Sequence, residues 1–325
     1  MNPSSIPFRD RILGGLFGCA VGDALGVPVE FRDRAAVQSD PVTGLRGYGT
    51  HGQPPGTWSD DTSLMLCLAD SLRHHTFDTT DMAQRFLDWY EKDLWTAHRV
   101  IFDVGNATAR AINSFGAGTP AEEAGGGDEF SNGNGSLMRQ LPVALRFASA
   151  SAGELLDKLH RVSSITHGHL RSLMACGFHG LVVRELLRGL SSAEALDTAR
   201  QQFTMYYSSS ASQKELPEFR LLFAGTFALL SDDEISSHGY VMDTLIASLW
   251  CLLTTQSFEE CVLKAVNLGG DTDTTGCVAG GLAGVHYGLS AIPAEWRNGI
   301  ARSEDLAELF ASFASTIPNS SNFEP

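Results

Sequence analysis

The chain has 325 residues, 43% of them hydrophobic and 19% charged, a composition that fits one large globular core or two modest ones and excludes a disordered or fibrous protein. Its 23 basic residues against 38 acidic ones leave a net charge of −15, which argues against sequence-independent binding to nucleic acid or to an anionic membrane, since both need a basic footprint. An anionic substrate would therefore need local positive charge, from metal ions or a ring of backbone N–H groups.

In chain order, the first predicted element is a helix across Ile12 to Gly22. Arg9 and Arg11 precede it, and Leu16-Phe17-Gly18-Cys19 matches a lipoprotein cleavage box. The apolar run is short and glycine-rich, however, and cleavage at Cys19 would cut through the helix. Gly44 to Gly56, with Pro54-Pro55, reads as a loop, and Met65, Leu68 and Leu72 then share a helical face after an Asp-rich start. Gly116 to Gly135 is a second loop. Leu170, Met174, Gly177 and Leu181 follow helical spacing, Tyr206 to Pro217 and Ser231 to Gly239 are loops, and Val241, Leu245, Ser248, Leu249 and Leu252 form another helical face. Thr274 to Ala294 carries no formal charge, but Gly280, Gly281, Gly284 and Gly288 interrupt it, so it reads as a buried helix rather than a membrane span. Few stretches alternate as strands do. The expectation is an all-α fold: a single compact multi-helix domain over residues 1–325, with its core at about 9–311 and a flexible Ser- and Pro-containing tail at 312–325. Cys19, Cys67, Cys176, Cys251, Cys261 and Cys277 form no C-x-x-C pair and lie in apolar stretches, as reduced, buried thiols of a cytoplasmic protein do.

Two acidic clusters far apart in sequence carry the sharpest chemical signal: Ser59-Asp60-Asp61-Thr62, and Asp271-Thr272-Asp273-Thr274 after Gly269-Gly270. Adjacent carboxylates with hydroxyl neighbours at a helix start offer the hard oxygen ligands that Mg²⁺, Mn²⁺ and Ca²⁺ accept. The same residue types also cap helices, and a cap can be a ligand. An EF-hand beginning at Asp271 fails, because its twelfth position is Leu282 rather than a bidentate acid. Asp271 to Thr275 matches the D-x-D-x-T string of haloacid-dehalogenase-type phosphatases, but that string should end a strand near the start of an α/β domain. A third feature, Asn132-Gly133-Asn134-Gly135-Ser136, leads into Leu137-Met138-Arg139. Its glycines can turn backbone N–H groups towards one point, and a helix starting near Ser136 would add its positive end to make a phosphate cradle; plain Asn-Gly turns give the same string.

Taken together, these strings resemble the ADP-ribosylglycohydrolase family. The matching elements are Gly14 to Gly18 with Gly22-Asp23-Ala24-Leu25-Gly26 and Glu30; Ser59 to Thr62; Phe102-Asp103-Val104-Gly105-Asn106; Asn132 to Arg139; Ser163 to His167; Gly239-Tyr240-Val241 with Asp243-Thr244; and Leu268 to Thr274. The resemblance implies an all-helical fold with a loop-lined two-metal cleft holding Mg²⁺ or Mn²⁺. By resemblance, Ser59, Asp60, Asp61, Asp271, Asp273 and Thr274 are the metal ligands, with Ser59 standing where many members have Thr. The implied reaction is hydrolysis of the bond between C1″ of ADP-ribose and a protein side chain, so the partners are an ADP-ribosylated protein and the product ADP-ribose. Asp60 and Asp61 would also orient or deprotonate the attacking water, and Glu30 resembles a gate or proton-transfer group. Asn132, Gly133, Asn134, Gly135 and Ser136 resemble the diphosphate site, Met138 a further substrate-binding residue, His167 the histidine beside the adenosine half, and Tyr240 an adenine-stacking ring. Asp103 aligns with an Asp near the scissile linkage of arginine-specific members, where a carboxylate pairs with a guanidinium. From the residues alone, Glu30 also reads as a solvated loop acid, His167 as a structural histidine, Tyr240 as helix core or rim, and Asp103 as a solvated or capping residue.

These readings favour hydrolysis of ADP-ribosylarginine. The alternatives are an ADP-ribosylserine or other O-linked ADP-ribose hydrolase, the phosphatase above, and a non-enzymatic ADP-ribose-binding or toxin-neutralising protein.

Overall fold

Helices carry nearly all of the regular structure. The structure is a computed structural model and describes residues 6–74, 77–208 and 210–318. In chain order its α-helices are α1 (Phe8–Gly26), α2 (Arg34–Ser39), α3 (Asp60–His74), α4 (Thr79–Lys92), α5 (Asn106–Gly116), α6 (Leu141–Arg146), α7 (Ala152–Ser164), α8 (Leu170–Leu187), α9 (Ser192–Tyr206), α10 (Ser210–Gln213), α11 (Val241–Leu253), α12 (Phe258–Val266), α13 (Thr272–Tyr287), α14 (Ala294–Gly299) and α15 (Ser303–Ala314). Among the described residues there is no β-strand, and the isolated bridges are Gly126 with His167 and Gly133 with Tyr240. The fold is all-α and a single domain, as expected.

Helices α1 and α13 form an antiparallel pair at the centre, and glycine sets their separation. Residues four apart share a helical face, so Gly14, Gly18 and Gly22 line α1 opposite Gly284, Gly280 and Gly276 of α13. A Cβ on Gly18 would lie 2.1 Å from the carbonyl oxygen of Gly280, and one on Gly22 would lie 2.0 Å from that of Gly276. Backbone thus rests on backbone, and the end of α1 is brought against the start of α13. At the opposite end of the pair, the buried Arg11 guanidinium donates to Leu186 O (3.2 Å), Val285 O (2.9 Å) and His286 O (3.1 Å). A cation there satisfies last-turn carbonyls of both α8 and α13 and complements their dipoles.

The stretch Phe8–Val29 is long and apolar enough to cross a membrane, but 94% of its apolar window is buried inside the protein. Cys19 is buried within α1 and, like the other five cysteines, is a free thiol. The Thr274–Ala294 stretch is indeed a buried helix over most of its length. The predicted faces lie in α3, α8 and α11. α8 is enclosed on all sides from Met174 to Leu187, so its periodic pattern marks a central helix rather than a surface one.

Two boundaries differ from expectation. No α-helix begins near Ser136: a single 3₁₀ turn spans Asn134–Ser136, and α6 starts only at Leu141, with Pro142 inside its first turn. The packed core continues past residue 312. Phe313, Ala314 and Ile317 are buried, since α15 has an apolar face that the Ser and Pro content disguised; residues 319–325 lie outside the described residues.

Candidate active site

The first acidic cluster opens α3, and a residue of α1 holds it there. Both oxygens of the fully buried Asp23 carboxylate accept from Ser59 N, at 2.9 and 3.0 Å, while its Oδ2 also accepts from Thr62 N (3.1 Å) and Thr62 Oγ1 (2.5 Å). Asp23 therefore caps α3 from outside the helix. Burial outweighs those hydrogen bonds and raises its carboxyl to about 6.

The second cluster opens α13. Gly269 and Gly270 have φ of +76° and +73°, a left-handed turn that suits glycine. Three backbone bonds pin that turn: Phe31 N to Gly270 O (2.7 Å), Gly270 N to Arg32 O (2.8 Å) and Asp271 N to Ser237 O (2.8 Å). Asp271 is the N-cap residue, Thr272 Oγ1 donates back to Gly26 O at 2.9 Å, and Asp273 Oδ1 accepts from Thr274 N at 2.9 Å. The clusters touch where Thr274 Oγ1 lies 3.3 Å from Asp61 Oδ1.

Carboxylate oxygens of Glu30, Asp271 and Asp273 lie within 4.8 Å of one another, and a Glu30 oxygen forms a second such group with a His51 ring nitrogen and an Asp103 oxygen. Glu30 Oε2 lies 2.5 Å from His51 Nε2. Asp103 holds a left-handed φ of +53°, an uncommon conformation for a residue with a Cβ and one that concentrates at functional sites. Asp61 Oδ2, Asp271 Oδ1 and Asp273 Oδ2 are buried with no hydrogen-bond partner among the described residues. Burial first, then the neighbouring carboxylates, push Asp60, Asp61 and Asp273 well above the usual carboxylate range. Burial, then Asp103 and Asp271, raise Glu30 to about 10. Buried acceptors with neither proton donor nor cation cost stability. Carboxylates converging with hydroxyls at two helix starts are the donor set that hard divalent cations take, so the residues present fit a metal centre.

The glycine-rich string meets these acids in one cavity of about 270 Å³. Glu30, Asp60, Asp61, Asp103, Asp271 and Thr274 line it, together with Gly133, Asn134, Gly135, Met138 and His167. Asn134 Nδ2 donates to Asp271 Oδ2 and to Thr244 Oγ1, both at 2.8 Å, and so ties the loop to the acids. Asn132 and Ser136 face elsewhere: Asn132 Oδ1 accepts from Ser172 Oγ (3.0 Å), and Ser136 Oγ accepts from Ser163 Oγ (2.9 Å). Ser59 turns its hydroxyl to Asp61 N at 3.3 Å. Tyr240, half-buried at the start of α11, receives a bond from Arg171 Nη1 and donates to Glu218 Oε2, both at 3.0 Å. His167 is buried beside the loop. Burial and then the charge of Arg139 lower its imidazolium to about 3.

Asp23, His51 and Arg139 acquire structural importance here that the sequence did not signal. Asp23 and Arg139 lay inside matched strings without a role, while His51 sits in a glycine- and proline-containing loop with no periodicity to mark it.

The raised acids make a prediction for the metal-free protein. A group whose folded pKa exceeds its unfolded value stabilises the fold at low pH and loses that contribution as pH rises through the folded pKa. His160, His167, His179 and His286 are lowered by burial and are neutral in both states above their unfolded pKa of about 6.5. Between pH 7 and 8, below most thiol titration, the melting temperature of EDTA-treated protein should therefore fall. Added Mg²⁺ or Mn²⁺ should raise the melting temperature more at pH 8 than at pH 7. A flat metal-free profile with no metal response would remove the cation site.

Fold and cavity together define an all-helical enzyme cleft, acidic on one side and glycine-rich on the other. The chain belongs to the ADP-ribosylglycohydrolase family, whose model matches residues 4–321. It is 33% identical to "ADP-ribosylarginine hydrolase Tri1" of Pseudomonas putida, over 92% of this chain and 76% of that one. It is also 33% identical to "ADP-ribosyl-[dinitrogen reductase] glycohydrolase" of Rhodospirillum rubrum, over 89% of each chain. Among solved structures, an "ADP-ribosylglycohydrolase-related protein complex" superposes with a TM-score of 0.80 at 35% identity, covering 95% of this chain and 99% of that one. The protein is an ADP-ribosyl hydrolase. The phosphatase reading falls, because Asp271 follows a glycine turn and starts a helix, with no strand before it.

Proposed function

We propose that the protein removes mono-ADP-ribose from arginine side chains of modified proteins in the cytoplasm, releasing ADP-ribose with the help of two divalent cations, Mg²⁺ or Mn²⁺. The observation that carries this reading is that Asp61 and Asp271, each with a buried carboxylate oxygen that has no hydrogen-bond partner among the described residues, line one cavity with the Gly133–Gly135 loop. The printed name of the Pseudomonas putida relative supports the arginine linkage.

Ser59, Asp60, Asp61, Asp271, Asp273 and Thr274 would hold the cations. Bound there, the cations supply Lewis-acid polarisation of oxygens near the reacting carbon. The chain's own groups do the rest. The Gly133–Gly135 backbone seats the diphosphate side, with Asn132 and Ser136 bracing that loop from behind, and Met138 lines the same cavity against the substrate. His167 meets the adenosine half, and Tyr240 stacks on adenine. Asp60 and Asp61 orient the water that adds to C1″ and accept its proton. Glu30 stands beside Asp103 with its carboxyl raised by burial and the neighbouring acids, and serves as the acid that passes a proton to the departing nitrogen as the C1″–N bond breaks. Asp103, held in its left-handed turn, pairs with the guanidinium.

Matched peptides ADP-ribosylated on arginine or on serine test the linkage. The arginine peptide should release ADP-ribose, measured by mass spectrometry, and Asp103→Asn should reduce kcat/KM on it by on the order of 10²-fold, about 3 kcal/mol of lost transition-state stabilisation. Release from serine alone would overturn the linkage. Binding of ADP-ribose with release from neither peptide would favour a non-hydrolytic binding protein.

A further inference from the structure

Arg139 plays no part in the reading above, yet it is a wholly buried guanidinium beside the cleft. Its Nη1 donates to Gly135 O, and its Nη2 donates to Thr166 Oγ1 at 2.7 Å and to Val162 O at 3.5 Å. The guanidinium carbon stands 4.8 Å from the Phe86 ring centroid. Its neighbours are thus carbonyls, a hydroxyl and a ring face.

Thr166, also fully buried, places Oγ1 2.7 Å from His167 Nδ1. A hydroxyl has one proton to give, and an arginine can only donate. Arg139 Nη2 therefore occupies a lone pair of Thr166, and the hydroxyl proton is left for His167 Nδ1. Were Nδ1 itself protonated, two donors would point at Thr166 while its own proton had no acceptor bonded among the described residues, a costly arrangement in a buried site. With Nδ1 accepting, the neutral ring carries its proton on Nε2. That nitrogen faces the loop: it would lie 3.4 Å from a Cβ on Gly133, and His167 Cε1 would lie 3.0 Å from one on Gly135.

We propose that Arg139, acting through Thr166, is a positioning residue that fixes His167 as its Nε2–H tautomer and presents that N–H to an oxygen of ADP-ribose beside Gly133 and Gly135. The same guanidinium holds the carbonyl of Gly135, so one side chain sets both the loop and the ring facing it. The ligand rests on the functional reading above; the tautomer does not.

Nitrogen-15 NMR of the whole protein without ligand, with the His167 signals assigned by their loss in His167→Gln, reads the tautomer directly. Wild type and Thr166→Ser should show Nδ1 unprotonated and Nε2 protonated, while Thr166→Val, which keeps the shape and loses the hydroxyl, should lose that single tautomer. Calorimetry with ADP-ribose should find Thr166→Val about tenfold weaker and Thr166→Ser close to wild type. A protonated Nδ1 in wild type overturns the proposal, as does wild-type affinity in a Thr166→Val protein of normal melting temperature. If Thr166→Val folds poorly, the wild-type tautomer and Thr166→Ser still decide. The expected tautomer in a protein with no affinity for ADP-ribose would support the relay and overturn the functional reading instead.

Discussion

Asp273→Asn should lower ADP-ribose release by on the order of 10³-fold, equivalent to about 4 kcal/mol of transition-state stabilisation, and leave the fold intact. Asp273 is fully buried, with Oδ1 bonded to Thr274 N at 2.9 Å and Oδ2 without a partner among the described residues. Asparagine matches its shape but replaces an acceptor with an NH₂ donor and removes a charge. Bound metal should fall together with turnover. The metal-free protein should at the same time melt higher than wild type, because one of the mutually repelling buried acids is gone. Asp60→Asn should behave alike, since Asp60, at the start of α3, shares Asp103 and Asp271 as acidic neighbours. Wild-type turnover in either variant, with wild-type metal content, would remove the acids from the chemistry.

Gly18→Val should prevent folding altogether. Its new Cβ would sit 2.1 Å from the carbonyl oxygen of Gly280, a backbone atom that cannot swing aside as a side-chain end could. Relief requires α1 and α13 to separate, which would unpack the central pair and pull Asp23 away from the start of α3. The expected loss exceeds about 5 kcal/mol, comparable with the whole stability of many domains. Soluble yield and far-UV circular dichroism would register it. Gly127→Ala is the control: a Cβ there meets nothing within 4 Å, so its stability should stay within about 0.5 kcal/mol of wild type. A Gly18→Val protein that melted like wild type would contradict the backbone-to-backbone packing.

The helices were legible because apolar residues at helical spacing mark packed faces whatever their partners, and α3, α8 and α11 lie where Met65, Met174 and Leu245 place them. The acidic clusters were legible for a related reason: doubled Asp beside hydroxyls at a helix start is rare enough to stand out, and both clusters do open helices. What joins them was not legible. Gly14, Gly18 and Gly22 look like interruptions of an apolar run until Gly276, Gly280 and Gly284 are seen across the interface. Asp23 reads as one acid inside an apolar helix; its task, capping α3, depends on a contact 36 residues away. The phosphate-cradle string misled in its details, because Asn-Gly pairs fit both a helix start and a tight turn, and the chain uses the turn. Ser312 misled for the opposite reason, since the serines and prolines near the terminus hid the apolar face that carries Phe310 and Phe313.

The carboxylates around Asp61, Asp271 and Asp273 are proposed to work as a cation site in releasing ADP-ribose from arginine. The most direct measurement strips the purified protein with EDTA and follows free ADP-ribose by mass spectrometry, from an arginine-modified peptide, before and after Mg²⁺ or Mn²⁺ is restored. Stripped protein should release none, and either cation should restore release. Full release from protein shown to be free of metal would contradict the proposed cation site.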